Sequence, residues 1–187
     1  MKYQQSLRHI HRIDRVLWIS VFSGMLVISV VALIFNYTGL LTGQLIQLDP
    51  QLDNALLVLT IGLLFLIFYL KRQFLVPEKI AKRAQRKNIV NITHDISSLK
   101  NEFGEKAELV KTALMLIRRY FMLVWSVANV ILLLGFIVFM LAGQFQTFLI
   151  YAVVAFYSMI INFPVLNKML AVIELIDKQP NLSDHVS

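Results

Sequence analysis

Few side chains in this chain are placed to do chemistry. His9, His11 and Asp14 lie close together ahead of the first apolar run. Imidazoles and a carboxylate are metal ligands, but helical residues two apart do not share a face, and three donors leave a coordination sphere incomplete. A polar flank to a membrane segment is the better reading of that cluster. Cysteine is absent, which excludes disulfide and thiolate chemistry. All four histidines lie outside the long apolar runs, so bis-histidine haem between membrane helices is disfavoured. Neither a cofactor nor a metal is expected, and the chain reads as a protein that is not an enzyme.

Apart from Lys71 and Arg72, which can snorkel from the end of the second, the apolar runs contain no Asp, Glu, Lys or Arg. Proton relays, voltage sensors and ion-coupled carriers usually need charge within the membrane. What remains there is neutral and polar: Ser20, Ser23, Ser29, Asn36, Thr60, Ser126, Asn129, Ser158 and Asn162. Asn129 is the deepest amide and is expected to hydrogen-bond across to another helix, a contact worth about 0.5–2 kcal/mol. Ser20 and Gly24 have the spacing of small residues that lets helices approach closely, and are expected to form a packing notch. Thr93, His94 and Asp95 are faintly similar to the phosphoacceptor box of histidine kinases, but the ATP-binding domain that serves such a box is not recognisable. The bland reading, a histidine beside an acid on a helix, is preferred.

These residues must be carried by membrane helices. The chain has 187 residues, is 58% hydrophobic and is richer in apolar side chains than soluble domains are. Its mean hydropathy is +0.69. A bilayer core needs about 20 apolar helical residues. Four stretches qualify, at 16–37, 54–75, 120–141 and 145–163, the last two separated by a turn at Ala142, Gly143 and Gln144. The first is too long for the core of a cleaved signal peptide, and reads as a retained helix. The expected fold is therefore all-α and polytopic, with four transmembrane helices arranged as two hairpins. A cytoplasmic helical extension lies between spans 2 and 3. The chain divides into a basic N-terminal segment (1–15), a first hairpin (16–76), a basic helical segment (77–119), a second hairpin (120–163) and an amphipathic tail (164–187).

All 18 Lys and Arg residues fall before the first span, from Lys71 at the end of the second to Arg119 before the third, or after the fourth. By the positive-inside rule both termini and the middle segment are cytoplasmic. Trp18, Tyr69, Tyr120 and Trp125 are placed as anchors at the inner interface, Tyr37 and Tyr151 at the outer. A bacterial inner membrane is the expected location. Phe74, Pro77 and Lys79 after the second span are echoed by Phe163, Pro164 and Lys168 after the fourth, a hint that the hairpins repeat.

Outside the spans, Lys79, Lys82, Arg83, Arg86 and Lys87 form a basic run after Pro77. Such a run either binds anionic lipid headgroups or an acidic partner, at roughly 1 kcal/mol per cation, or serves only to orient the spans. The orienting reading is preferred. Glu78 and Lys82 have the spacing of a helical ion pair. No nucleic-acid motif accompanies the cluster, so nucleic acid is not an expected partner. Ile89, Ile92, Ile96, Leu99 and Phe103 then step by three and four, and Val110, Ala113 and Ile117 continue their register, with Lys106 interrupting it. This stripe must pack on something, within the chain or in an assembly. In the tail, Leu166, Met169, Leu170, Ile173 and Ile176 share an apolar face that either lies on the membrane or packs on the cytoplasmic helices.

Two function classes fit. One is a non-catalytic accessory or scaffold subunit that assembles with itself or with other membrane proteins. The alternative is a homo-oligomeric channel or pore lined by Ser, Thr and Asn. The order of two spans, a basic helical segment and two spans is similar in topology alone to flagellar-stator motor subunits. Their charged interaction motifs and larger cytoplasmic domain have no counterpart here, and topology does not establish function.

Overall fold

The structure, a computed structural model, describes residues 4–40, 50–86 and 103–178. Among them every regular element is helical: α1 (Gln4–Thr38), α2 (Pro50–Phe74), α3 (Pro77–Arg86), a 3-10 turn (Gly104–Lys106), α4 (Ala107–Ala142), α5 (Phe145–Ile161) and α6 (Leu166–Asp177). Three of these helices, α1, α2 and α4, are long and apolar enough to cross a membrane. The bent pair α5 and α6 makes a fourth if it is taken as one broken span.

The breaks follow local chemistry. Pro50 and Pro77 are the first residues of α2 and α3, where a missing N–H costs nothing. Because α3 is separate, the second span does not run on as one helix into the segment after it, as a continuous extension would require. Pro77 disfavours helical geometry at Val76 and so ends α2. At the α4–α5 turn Gly143 adopts φ 67°, and its N–H reaches Phe139 O at 2.8 Å. A left-handed residue just past a helix end is where glycine is favoured.

The chain forms two compact units. One comprises Met1–Arg15, Lys71–Phe121 and Pro164–Ser187; the other comprises Val16–Leu70 and Met122–Phe163. Every described Lys and Arg belongs to the first.

In the apolar unit the end of α5 sets the packing. Pro164 cannot donate to a helical carbonyl, and it clashes with one four residues back. The chain tightens instead: the N–H groups of Asn162 and Phe163 both turn to Ile160 O. That leaves Ser158 O and Met159 O without their helical donors. Asn162 Nδ2 donates to the first at 2.8 Å, and Trp18 Nε1 to the second at 3.1 Å. Asn162 O, which no following turn reaches, accepts from Trp125 Nε1 at 3.1 Å. Trp18 also stacks on Phe22 (4.7 Å between centroids) and meets the edge of Phe163 (4.9 Å).

The close helix approach in this unit is at Gly135, on α4. A Cβ there would run into Tyr151 Cβ and Cγ on α5, whereas Gly24 and Gly62 have no atom within 4 Å of such a position. Gly135→Ala should therefore destabilise the protein by about 1–3 kcal/mol, as overpacked substitutions do. Gly62→Ala should be neutral or slightly stabilising, since it exchanges glycine for a better helix former. Thermal unfolding of the two variants in the same detergent checks this; equal melting temperatures would refute the contact.

Candidate functional site

The basic run after Pro77 lies in the first unit, on α3. Ile80, Ala81 and Ala84 form the buried face of this helix. They share a packed interface with α6, which buries Met169, Val172, Ile173 and Ile176. Thus the tail helix sets its apolar face against α3. A surface hollow beside this pair is lined by Glu78, Ala81, Lys82, Gln85 and Leu175.

The five cations expected to act together do not share one environment. Lys79, Lys82 and Arg86 are exposed, at positions that share one helix face. Lys79 Nζ reaches Gln73 Oε1 at 2.9 Å. Arg83 is turned inward: its guanidinium carbon sits 4.3 Å from the Phe74 ring centroid, and Nη1 donates to Tyr120 Oη at 3.2 Å. Phe74 and Tyr120 stack at 4.6 Å. Arg83 therefore clasps the end of α2 to α4 and is a packing residue. Lys87 lies outside the described residues. Glu78 and Lys82 are both exposed and form no ion pair, contrary to their spacing. An exposed pair gains little and loses side-chain entropy.

Of the apolar stripe, Ile89, Ile92, Ile96 and Leu99 lie outside the described residues, as do His94 and its neighbours. Phe103 is half-buried at the head of the 3-10 turn. The continuing positions Val110, Ala113 and Ile117 are buried on α4. Lys106, the interruption, has a role of its own. Its Nζ donates to Asp177 O at 2.9 Å and Ile176 O at 3.4 Å, at the C-terminal end of α6. The last carbonyls of a helix lack internal donors and carry partial negative charge, so a lysine suits them.

Asp14, three residues after His11 on α1, is only 1% exposed and accepts from Arg118 Nε on α4 at 2.6 Å. Its second oxygen, Oδ2, and His11 Nδ1 are buried without hydrogen-bond partners among the described residues. Burial raises the Asp14 carboxyl above its ordinary range, against the pull of Arg118. Burial also lowers His11, helped by Arg15 and opposed by Asp14. His9 faces solvent. Among the described residues no three His, Cys, Asp or Glu side chains gather as a metal site would require.

The three expected packing residues fare unevenly. Ser20 is exposed and donates to Val16 O of its own helix at 3.0 Å, and Gly24 faces open space. Neither forms a notch for another described helix of this chain. Asn129 is half-buried, with Oδ1 unpartnered and no side-chain hydrogen bond to another helix among the described residues. Sequence reasoning missed Lys106, Arg118 and Gly135. A lone lysine in an apolar register is a usable signal for the first; Arg118 and Gly135 depend on partners distant in sequence. No protein family, curated protein or solved structure matches this chain.

The pH dependence of stability tests the His11 environment. A lowered histidine stabilises the fold above its ordinary value near 6.5 and loses that contribution as pH falls through it. The raised Asp14 acts with the opposite sign: its contribution is complete below its ordinary 3.8 and lost as pH rises through the folded value. Melting temperature should therefore fall between about pH 7.5 and 5.5 in the native protein, and His11→Gln should flatten that decline. An unchanged slope in the variant would assign the dependence to another group.

Proposed function

We propose that this chain is a non-catalytic accessory or scaffold subunit of a membrane protein complex. It crosses the membrane four times as two hairpins, with α5 as the fourth span. Both termini and the segment between the hairpins are cytoplasmic, in a bacterial inner membrane. The observation that carries the assembly reading is unequal burial. Only 11% of the apolar window of α1, and of α2, is buried within the chain, against 44% for α4. Two of the three long helices thus bury few of their residues within the chain and keep much of their surface for lipid or other helices. The outward Ser20 and Gly24 on α1 would let a partner helix approach closely. On the cytoplasmic side, exposed Lys79, Lys82 and Arg86 suit anionic headgroups.

The pore reading is less well supported. The hydroxyls of Ser20, Ser29, Thr60 and Ser158 each donate to the carbonyl four residues back in their own helix. Hydroxyls so bonded are ordinary span residues with no donor left for a permeating anion, while their lone pairs stay open to a cation.

Two measurements test this function. The chain has no cysteine, so single cysteines report topology cleanly. In intact spheroplasts a membrane-impermeant maleimide should label Leu40→Cys and spare Arg86→Cys and Lys178→Cys until the membrane is opened. The reverse pattern would invert the orientation. Native mass spectrometry of gently extracted protein should give a defined complex with different membrane proteins. A ring of identical copies that conducts ions in planar bilayers would replace the scaffold reading with the pore.

A further inference from the structure

The N-terminal end of α1 turns one face inward. Leu7, His11 and Asp14 recur at steps of four and three and are 1%, 8% and 1% exposed, while Arg8, Arg12 and Arg15, one position on, face solvent. An inward helix face with that spacing normally carries apolar side chains. Here two of the three are titratable. This stretch belongs to the first unit, whose share of α1 ends at Arg15. From Val16 the helix belongs to the other unit, where Trp18 Nε1 is bonded to Met159 O.

The polar half of this face is incompletely paired. Asp14 Oδ1 accepts from Arg118 Nε at 2.6 Å, which ties α1 to α4. Asp14 Oδ2 and His11 Nδ1, one helical turn apart, are buried with no hydrogen-bond partner among the described residues. Polar atoms buried unpaired weaken the packing that buries them. The docked end therefore rests on the Asp14–Arg118 bond and the burial of Leu7, and a small change of charge can open it. His11 supplies that change. The charges acting on it are Arg15 and Asp14 on α1 and, through its bond to Asp14, Arg118 on α4. A neutral imidazole tolerates burial. Protonated, it is a buried cation near Arg15, and the adjacent carboxylate is already bonded to Arg118. Burial, and then Arg15, accordingly lower its affinity for a proton, against the pull of Asp14. Once the end is open the imidazole is solvated and titrates near its ordinary 6.5. A proton thus binds the open end better than the docked one and shifts the population toward it.

We propose that His11 is a proton-operated latch: on protonation it releases the 7–15 end of α1 from α4, uncovering the Asp14 carboxylate and the Arg118 guanidinium. The release is local and precedes unfolding, because the stretch from Val16 onward has its own bonds in the other unit. The latch requires neither the membrane orientation nor the assembly proposed above. Asp14 itself acts with the opposite sign, since burial raises its carboxyl and acid therefore favours its docked form. Removing the imidazole should leave only that weaker, reversed dependence.

Hydrogen exchange of the full-length protein in one detergent, at about pH 7.5 and 5.5 and divided by the intrinsic exchange rate at each, tests the latch. In the native protein the amides of residues 7–15 should exchange about tenfold faster at the lower value, one unit below the free imidazole's midpoint. Those of residues 122–142 should not change. His11→Gln, and equally His11→Leu, should keep the end protected at both values, or protect it slightly better in acid. Arg118→Met, which strands the carboxylate, should open the end at both. Protection of residues 122–142 at the higher pH shows that each variant is folded. A native end indifferent to pH overturns the latch, as does acid opening of both His11 variants to the native extent. Exchange that rises in parallel across residues 122–142 makes the loss global and overturns the local release. An Arg118→Met end as protected as the native one removes the bond to α4 as its anchor and overturns the release from α4.

Discussion

A helix that ends in an apolar setting leaves carbonyls that water cannot reach, and the packing of the apolar unit follows from how those of α5 are satisfied. In hydrocarbon each unsatisfied backbone group costs several kcal/mol, more than one hydrogen bond contributes on the surface of a soluble protein. The break before Pro164 releases the carbonyls of Ser158, Met159 and Asn162, and each receives a side-chain donor. Two of the three donors are indoles, the chain's entire complement of tryptophan. An indole N–H is well matched to such a carbonyl, since it donates only and its ring is otherwise apolar. Trp18 ties α1 to the end of α5 and Trp125 ties α4 to it, so one proline fixes the neighbours of three helices.

The basic unit faces a different constraint, an excess of cations over acids. A carboxylate meets Arg118, through its bond to Asp14. Neutral groups take up others. Lys106 goes to backbone carbonyls, Arg83 to two aromatic rings and a phenol, and Lys79 to an amide. Pairing cations with neutral acceptors orders their side chains without cancelling their charge. The unit keeps its net positive charge while its interior is still packed.

Much of the fold was legible because apolar runs and turn residues are local signals. The end of α4 at Ala142 and the start of α5 at Phe145 bracket the one glycine-centred cluster in a long uncharged run. The amphipathic tail was legible as a helix, but its partner was not, since α3 and α6 are about 90 residues apart in sequence. The candidate site was read less well. Composition gathered five cations into one cluster, and packing divided them, because an arginine beside a phenylalanine and a tyrosine gains more from stacking than from solvent. Glycine spacing pointed to Gly24, while the contact formed at Gly135. Spacing says where two helices could approach; only the opposing side chain, Tyr151, says where they do.

The two halves of the chain repeat an order: a long helix, a shorter one, a break, and a short amphipathic helix. They differ at the break, in how soon after the proline the next helix starts. Pro77 opens α3 itself, so only residues 75 and 76 separate the helices, and hydrogen bonding resumes with Ile80 N on Val76 O. Pro164 falls two residues before α6, within a gap of four, and hydrogen bonding resumes only with Lys168 N on Val165 O. Each proline stands three residues past the helix before it and denies a donor to that helix's penultimate residue; only Pro77 is also the first residue of the next helix, where no donor is needed. Both tryptophans converge on the second, longer break. The four-residue gap at the second break leaves carbonyls that a helix starting at once would have met, and a dedicated set of side-chain donors meets them.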